Sequence, residues 1–149
     1  MKYYFVMFED VRYWIEVDSN SFAMRQIVVE GEDVEISSFQ DCLSEIQIIE
    51  EEMEGDVKQI TSLEFDAKWE TIMVKYSIVW KESKRLHPVG SKISGQVMYF
   101  YPHGTIIEIE EIKGLYLHDT TNIEIGQRIS GVVSGYDEIN RWVIVKNCT

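Results

Sequence analysis

Residues 89–146 read VGSKISGQVMYFYPHGTIIEIEEIKGLYLHDTTNIEIGQRISGVVSGYDEINRWVIVK. Apolar, β-branched and aromatic runs alternate here with Gly, Pro, Asn and Asp, the pattern of short strands joined by turns. Strands are expected near 91–101, 104–109, 115–117, 128–136 and 142–146. Pro102-His103-Gly104 supplies the first turn and Lys113-Gly114 the second. Residues 118–126 form the long connection between the third and fourth strands, and 136–141 the last hairpin. Gly95 is placed to let the long first strand bend round a corner. Gly104, Gly114 and Gly126 stand where turns favour positive φ.

Working outward, the preceding segment ends in His87-Pro88, and proline stops a helix. Residues 61 to about 85 carry the helical period. Thr61 and Glu64 have the spacing of a capping box. Phe65, Trp69, Ile72, Met73, Tyr76 and Trp80 recur at steps of three and four, a broad apolar stripe on one face. Lys81, Lys84 and Arg85 crowd the last turn, where cations suit the helix dipole. Such a stripe is more often core than a partner surface.

Upstream lie strand-like runs at 3–8, 12–18, 22–30 and 34–37. Tyr13, Ile15 and Val17 alternate with Trp14, Glu16 and Asp18, so the two sets face opposite sides. Ser19-Asn20-Ser21 is a turn, making 12–18 and 22–30 an antiparallel hairpin, and Arg25 can pair with Glu16 or Asp18 across it. Residues 38–49 fit a helix or a short strand equally, and 50–56 read as a charged loop. The fold class expected is mainly β with one long helix (α+β). An acidic antiparallel sheet domain over 1–87 ends in that helix, and a five-stranded barrel follows over 88–149. Five strands with a long link after the third match the OB-fold, a Greek-key barrel.

The barrel stretch also resembles the S-one type of RNA-binding OB-fold domain, over about two-fifths of the chain. The residues that carry the likeness are Gly95-Gln96-Val97, Gly104 with Ile106, Ile107 and Ile109, Gly114-Leu115, Gly126, and Asp137 with Arg141. The whole chain is similar to small bacterial proteins with such a terminal domain. The resemblance implies single-stranded RNA held by exposed aromatics, a third-strand histidine and cations near the last hairpin. This sequence departs from that pattern. His103 takes one aromatic position and Ile106 another, and Leu117 takes the histidine position, with His118 one residue further on. Arg141 matches, and Lys146 lies nearby. Tyr99, Tyr101 and Tyr116 are the candidate replacements for the stacking groups. The candidate nucleic-acid-binding set is therefore Tyr99, Tyr101, His103, Tyr116, Arg141 and Lys146.

The chain of 149 residues has a formal net charge of −12. Residues 1–87 hold 19 acidic and 9 basic side chains, net −10, and 88–149 hold 7 and 5, net −2. That balance attracts basic partners and repels phosphate backbones, and it also keeps a protein soluble. Cys42 and Cys148 are far apart and form no CxxC pair, so no zinc site is expected. Glu16 and Asp18 have the spacing to share a divalent cation, although an exposed polar strand face explains them as well. Neither His118-Asp119 nor His103 with Asp137 comes with a nucleophile or ligand set. No phosphate loop, GxSxG or HExxH occurs. No secretory leader or membrane span is legible, so a cytoplasmic protein is expected.

The expectation is a non-enzymatic binding protein without cofactor, taking single-stranded RNA weakly on the barrel face. The alternative is an acidic inhibitor or immunity-like module that occupies a basic protein partner. The oligomeric state is open.

Overall fold

The computed structural model describes residues 1–117 and 122–147. The chain divides into two compact units, Met1–Lys75 and Tyr76–Thr149. This joint lies upstream of Pro88, because the second half of the helical region counts with the barrel. Moving it redistributes the charge. Residues 1–75 carry 18 acidic and 6 basic side chains, net −12, while 76–149 carry 8 and 8, net 0. The whole excess of negative charge belongs to the first unit.

The first unit is a five-stranded sheet. Its strands are β1 (Lys2–Phe8), β2 (Val11–Val17), β3 (Ala23–Glu30), β4 (Asp33–Ile36) and β5 (Asp56–Ile60), ordered β4-β3-β2-β1-β5 with antiparallel neighbours. The period-2 pattern of β1 and β2 buries Tyr4, Val6, Ile15 and Val17 on one face, where Ala23 and Ile48 join them. Residues 38–49, legible as helix or strand, form neither. They lie over this face as an irregular segment, with Ile48 buried and its N–H donating to the Ser21 carbonyl at 2.6 Å. Strand β5 begins at Asp56, the last residue of the expected charged loop, and runs through a stretch for which the sequence predicts no element. Only Val57 and Ile60 of its five residues are partly buried, too sparse an apolar pattern to announce an edge strand.

The helix α1 (Ser62–Met73) packs against β1 and β2. Thr61 caps it, its hydroxyl accepting from the Glu64 N–H at 3.2 Å. Phe65 and Trp69 are wholly buried. Between this helix and the hairpin stands Arg25. Its Nε donates to Glu16 at 2.9 Å, and its Nη2 donates both to Glu16 and to Asp66, each at 2.7 Å. The guanidinium lies 4.8 Å from the Phe65 ring centroid and 5.0 Å from that of Trp69. The cross-hairpin pairing is thus made, and it is buried rather than exposed. Asp18 is used otherwise, accepting from the N–H groups of Asn20 and Phe22 in the turn. Glu16 and Asp18 therefore do not converge on a shared cation.

A 3-10 turn (Val74–Tyr76) spans the joint, and the second unit continues with α2 (Ser77–Leu86). The barrel follows as β6 (Lys92–Tyr101), β7 (Gly104–Ile109), β8 (Ile112–Leu117), β9 (Arg128–Asp137) and β10 (Trp142–Lys146). It closes in the order β10-β8-β7-β6-β9, with β8 and β10 parallel and the other pairs antiparallel. A closed five-stranded barrel agrees with the OB-fold expectation. The corner falls where expected: β6 pairs with β9 over 92–96 and with β7 over 96–101. Gly95 sits at that change of partner, where a Cβ would come within 2.6 Å of the Glu108 carbonyl oxygen.

One turn is misplaced in the sequence reading. The β7–β8 hairpin turns at Glu110-Glu111, with Ile109 opposite Ile112, and Lys113-Gly114 lie inside the strand. Gly114 is there for want of space, since a Cβ would meet Ile109 Cδ1 at 2.6 Å and Ile107 Cγ1 at 3.0 Å. A glycine that makes room in a barrel is indistinguishable in sequence from one that makes a turn.

Candidate nucleic-acid interface

Strands β6, β9 and β10 bury alternate residues over part of their length, so register decides which side chains share the outer surface. On β6 the buried Ile93, Gly95 and Val97 alternate with Lys92, Ser94 and Gln96. On β9 the buried Gly131 and Val133 alternate with Arg128, Ser130 and Val132. On β10 the buried Val143 and Val145 alternate with Ile144 and Lys146. Val132 is the register partner of both Lys92 and Lys146, so the three residues form one row across β6, β9 and β10. Ser94 pairs with Ser130, and Gln96 with Arg128, in the next rows of the same face. A Cβ on Gly131 would lie 2.2 Å from the Lys146 carbonyl oxygen. Glycine at that position lets β10 sit close against β9.

The six candidate residues are not brought together as one exposed face. Tyr99, Tyr101 and Tyr116 are 7%, 8% and 5% exposed, so none presents an open ring. Tyr99 accepts a hydrogen bond on its hydroxyl from Lys113 Nζ at 3.1 Å, and the same ammonium lies 5.1 Å from its ring centroid. Tyr101 packs edge-on to the buried Trp142, with centroids 5.0 Å apart, and against His103 at 5.8 Å. His103 is exposed. Arg141 turns back on its own hairpin, where Nη1 donates to the carbonyls of Glu138 and Ile139 at 2.6 and 3.1 Å. Lys146 is exposed, at the end of the row shared with Lys92. His118 lies outside the described residues, as does Cys148.

Lys92 and Arg128 were absent from the sequence-derived set. The period-2 alternation of their strands is the signal that could have placed them outward. Nothing local indicated that their strands are neighbours of the one carrying Lys146. Arg128 also donates to Ser94 Oγ at 3.2 Å, which steadies it over the face. An open cleft of about 460 Å³ borders this region, lined by Lys92, Ser94, Gln96 and Arg128 on one side and by Glu108 and Glu110 on the other. Its mixed charge does not make it an anion pocket.

The hairpin at the end of β9 is locked onto α2. Glu138 accepts from Trp80 Nε1 and from Lys84 Nζ, both at 2.9 Å. Tyr136 donates its hydroxyl proton to the His87 carbonyl at 2.7 Å and packs edge-on to Trp80. Burial pushes the Glu138 carboxyl up, but the two hydrogen bonds and the charges of Lys84 and Arg141 outweigh it and hold the pKa below its ordinary value.

Among the described residues no three His, Cys, Asp or Glu side chains converge as a cation site. No described helix is long and apolar enough to cross a membrane. Compared with known proteins, the chain matches no family model, and no curated protein matches it at a significant level.

Proposed function

We propose that this chain is a non-enzymatic binding protein whose barrel, of the S-one-like OB type, takes single-stranded RNA. The observation that carries this reading is a closed barrel that exposes Lys92, Arg128 and Lys146 on its outer face, in a unit with no net charge of its own. An OB barrel supplies the rigid strands on which oligonucleotides are held. A neutral unit leaves exposed cations such as Lys146 able to meet phosphates. Binding of this kind is weak and sensitive to salt, with dissociation constants on the order of 10⁻⁶ to 10⁻⁴ M at physiological salt. Fluorescence anisotropy of labelled single-stranded RNAs, at about 50 and about 200 mM salt, tests it. Saturable binding that weakens with salt is expected. The absence of binding at the lower salt would refute it.

A second reading rests on the first unit. The entire −12 charge lies in residues 1–75, which suits a basic protein partner steered by electrostatic complementarity. In an inhibitor or immunity-like module of that kind, the barrel is scaffold. A stable complex with a basic protein, together with no affinity for RNA, separates it from the first.

A further inference from the structure

We infer that the outer face of β6, β9 and β10 is the RNA-contacting surface, and that it grips the sugar–phosphate backbone rather than stacking on bases. The inference rests on the RNA-binding reading above and assigns it a place and a mode. The barrel stretch 88–149 has five basic residues: Lys92, Lys113, Arg128, Arg141 and Lys146. Lys113 is 4% exposed and bonded to Tyr99, and the Arg141 guanidinium is bonded to its own hairpin. The other three all point outward from one continuous three-stranded surface. Among the described residues neither Lys92 nor Lys146 has an ion-pair partner within 4 Å, and Arg128 has only the Ser94 hydroxyl.

Register sets the spacing. Lys92 and Lys146 are two strands apart, about 10 Å between backbones, and Arg128 is four residues along β9 from the row they share, about 13 Å away. The surface between them carries Ser94, Ser130, Gln96 and Val132 and no carboxylate. Hydroxyl and amide groups of that kind hydrogen-bond phosphate and 2′-OH groups. Among the described residues, Glu108, the register partner of Gln96, and Glu110 line the cleft on its β7 side. They direct a bound strand toward β10 and away from β7. The tyrosines expected to stack are buried, which leaves the phosphate contacts as the source of affinity.

Three phosphate contacts to a single strand give a slope of log K against log salt of about −2. The test titrates the full chain against fluorescein-labelled oligouridine and oligoadenine of equal length over a salt series. Slopes near −2 and similar affinities for the two bases are expected. The K92Q/R128Q/K146Q variant should flatten the slope and weaken binding at least tenfold at about 50 mM salt, with an unchanged circular dichroism melt. K146Q alone should lower the slope by about 0.7, which keeps the test open should the triple variant fold poorly. R141Q should bind as the parent does. Binding that persists in a folded triple variant with its slope intact, or a strong preference for one base, overturns this face while leaving RNA binding standing. A parent chain that binds neither oligonucleotide overturns both.

Discussion

Replacing Arg25 with Met removes the charge at the centre of the first unit while keeping most of the stem's volume. The side chains of Arg25 and Glu16 are 7% and 9% exposed. The substitution therefore leaves a buried carboxylate without the two hydrogen bonds and the charge that Arg25 supplies, a change that costs about 3–5 kcal/mol. The contact with Asp66 adds little, because that carboxylate is 51% exposed and screened by water. Loss of the guanidinium between Phe65 and Trp69 contributes about 1 kcal/mol more. The expected cost is about 5 kcal/mol, a large part of the roughly 5–15 kcal/mol that holds a domain folded. The second half of the experiment is Glu16→Leu combined with Arg25→Met. With both charges gone, the penalty for an unpaired buried ion disappears, and the double variant should recover most of the loss. Urea unfolding followed by circular dichroism and tryptophan fluorescence measures all the variants. If Arg25→Met costs less than about 1 kcal/mol, or the double variant is no more stable than the single, the pair does not organise this unit as argued. The direction of the Arg25 pKa agrees with the design: burial works against the charged form, yet the bonds to Glu16 and Asp66 outweigh it and hold the guanidinium protonated more firmly than usual.

Two further outcomes follow from the second unit. Glu138→Gln should weaken the α2–hairpin clamp by about 1 kcal/mol, modest because the carboxylate is 59% exposed. In the parent, the depressed Glu138 pKa stabilises the fold above the unfolded-state value near 4.3. That contribution is lost as pH falls through the lower folded-state value. An acid titration of Trp80 indole exchange in the parent and the variant reads the difference, and identical profiles would contradict the clamp. Gly131→Ala should destabilise the barrel by more than about 2 kcal/mol, since its Cβ would strike the Lys146 carbonyl. Gly135→Ala on the same strand has open space and should be nearly neutral. Thermal melts that rank the two glycines the other way would refute the packing account.

The second unit shows how far local pattern reaches. Its strands are written in period-2 alternation and turn residues, which neighbours in sequence create and which can be read without a structure. The end of the helix at Pro88 and the cap at Thr61 are local in the same way. The error at Lys113-Gly114 arose because steric need for a glycine inside a barrel depends on residues such as Ile107 and Ile109 across the strand pair. Burial of Tyr99, Tyr101 and Tyr116 was equally illegible, since a tyrosine in a strand suits either face.

The sequence by itself determined that the chain is mainly β with one long helical region, that a five-stranded barrel forms its C-terminal part, and that its charge is strongly negative. Tertiary structure decided where that charge lies. Grouping α2 with the barrel leaves residues 76–149 neutral and puts the full −12 on residues 1–75. It also decided which cations meet. Lys92 and Lys146 stand at opposite ends of the barrel sequence and become neighbours of Val132 only when β6 and β10 both pair with β9. Alternation tells each residue in or out, but strand adjacency is a long-range hydrogen-bonding outcome, and it is adjacency that builds a surface.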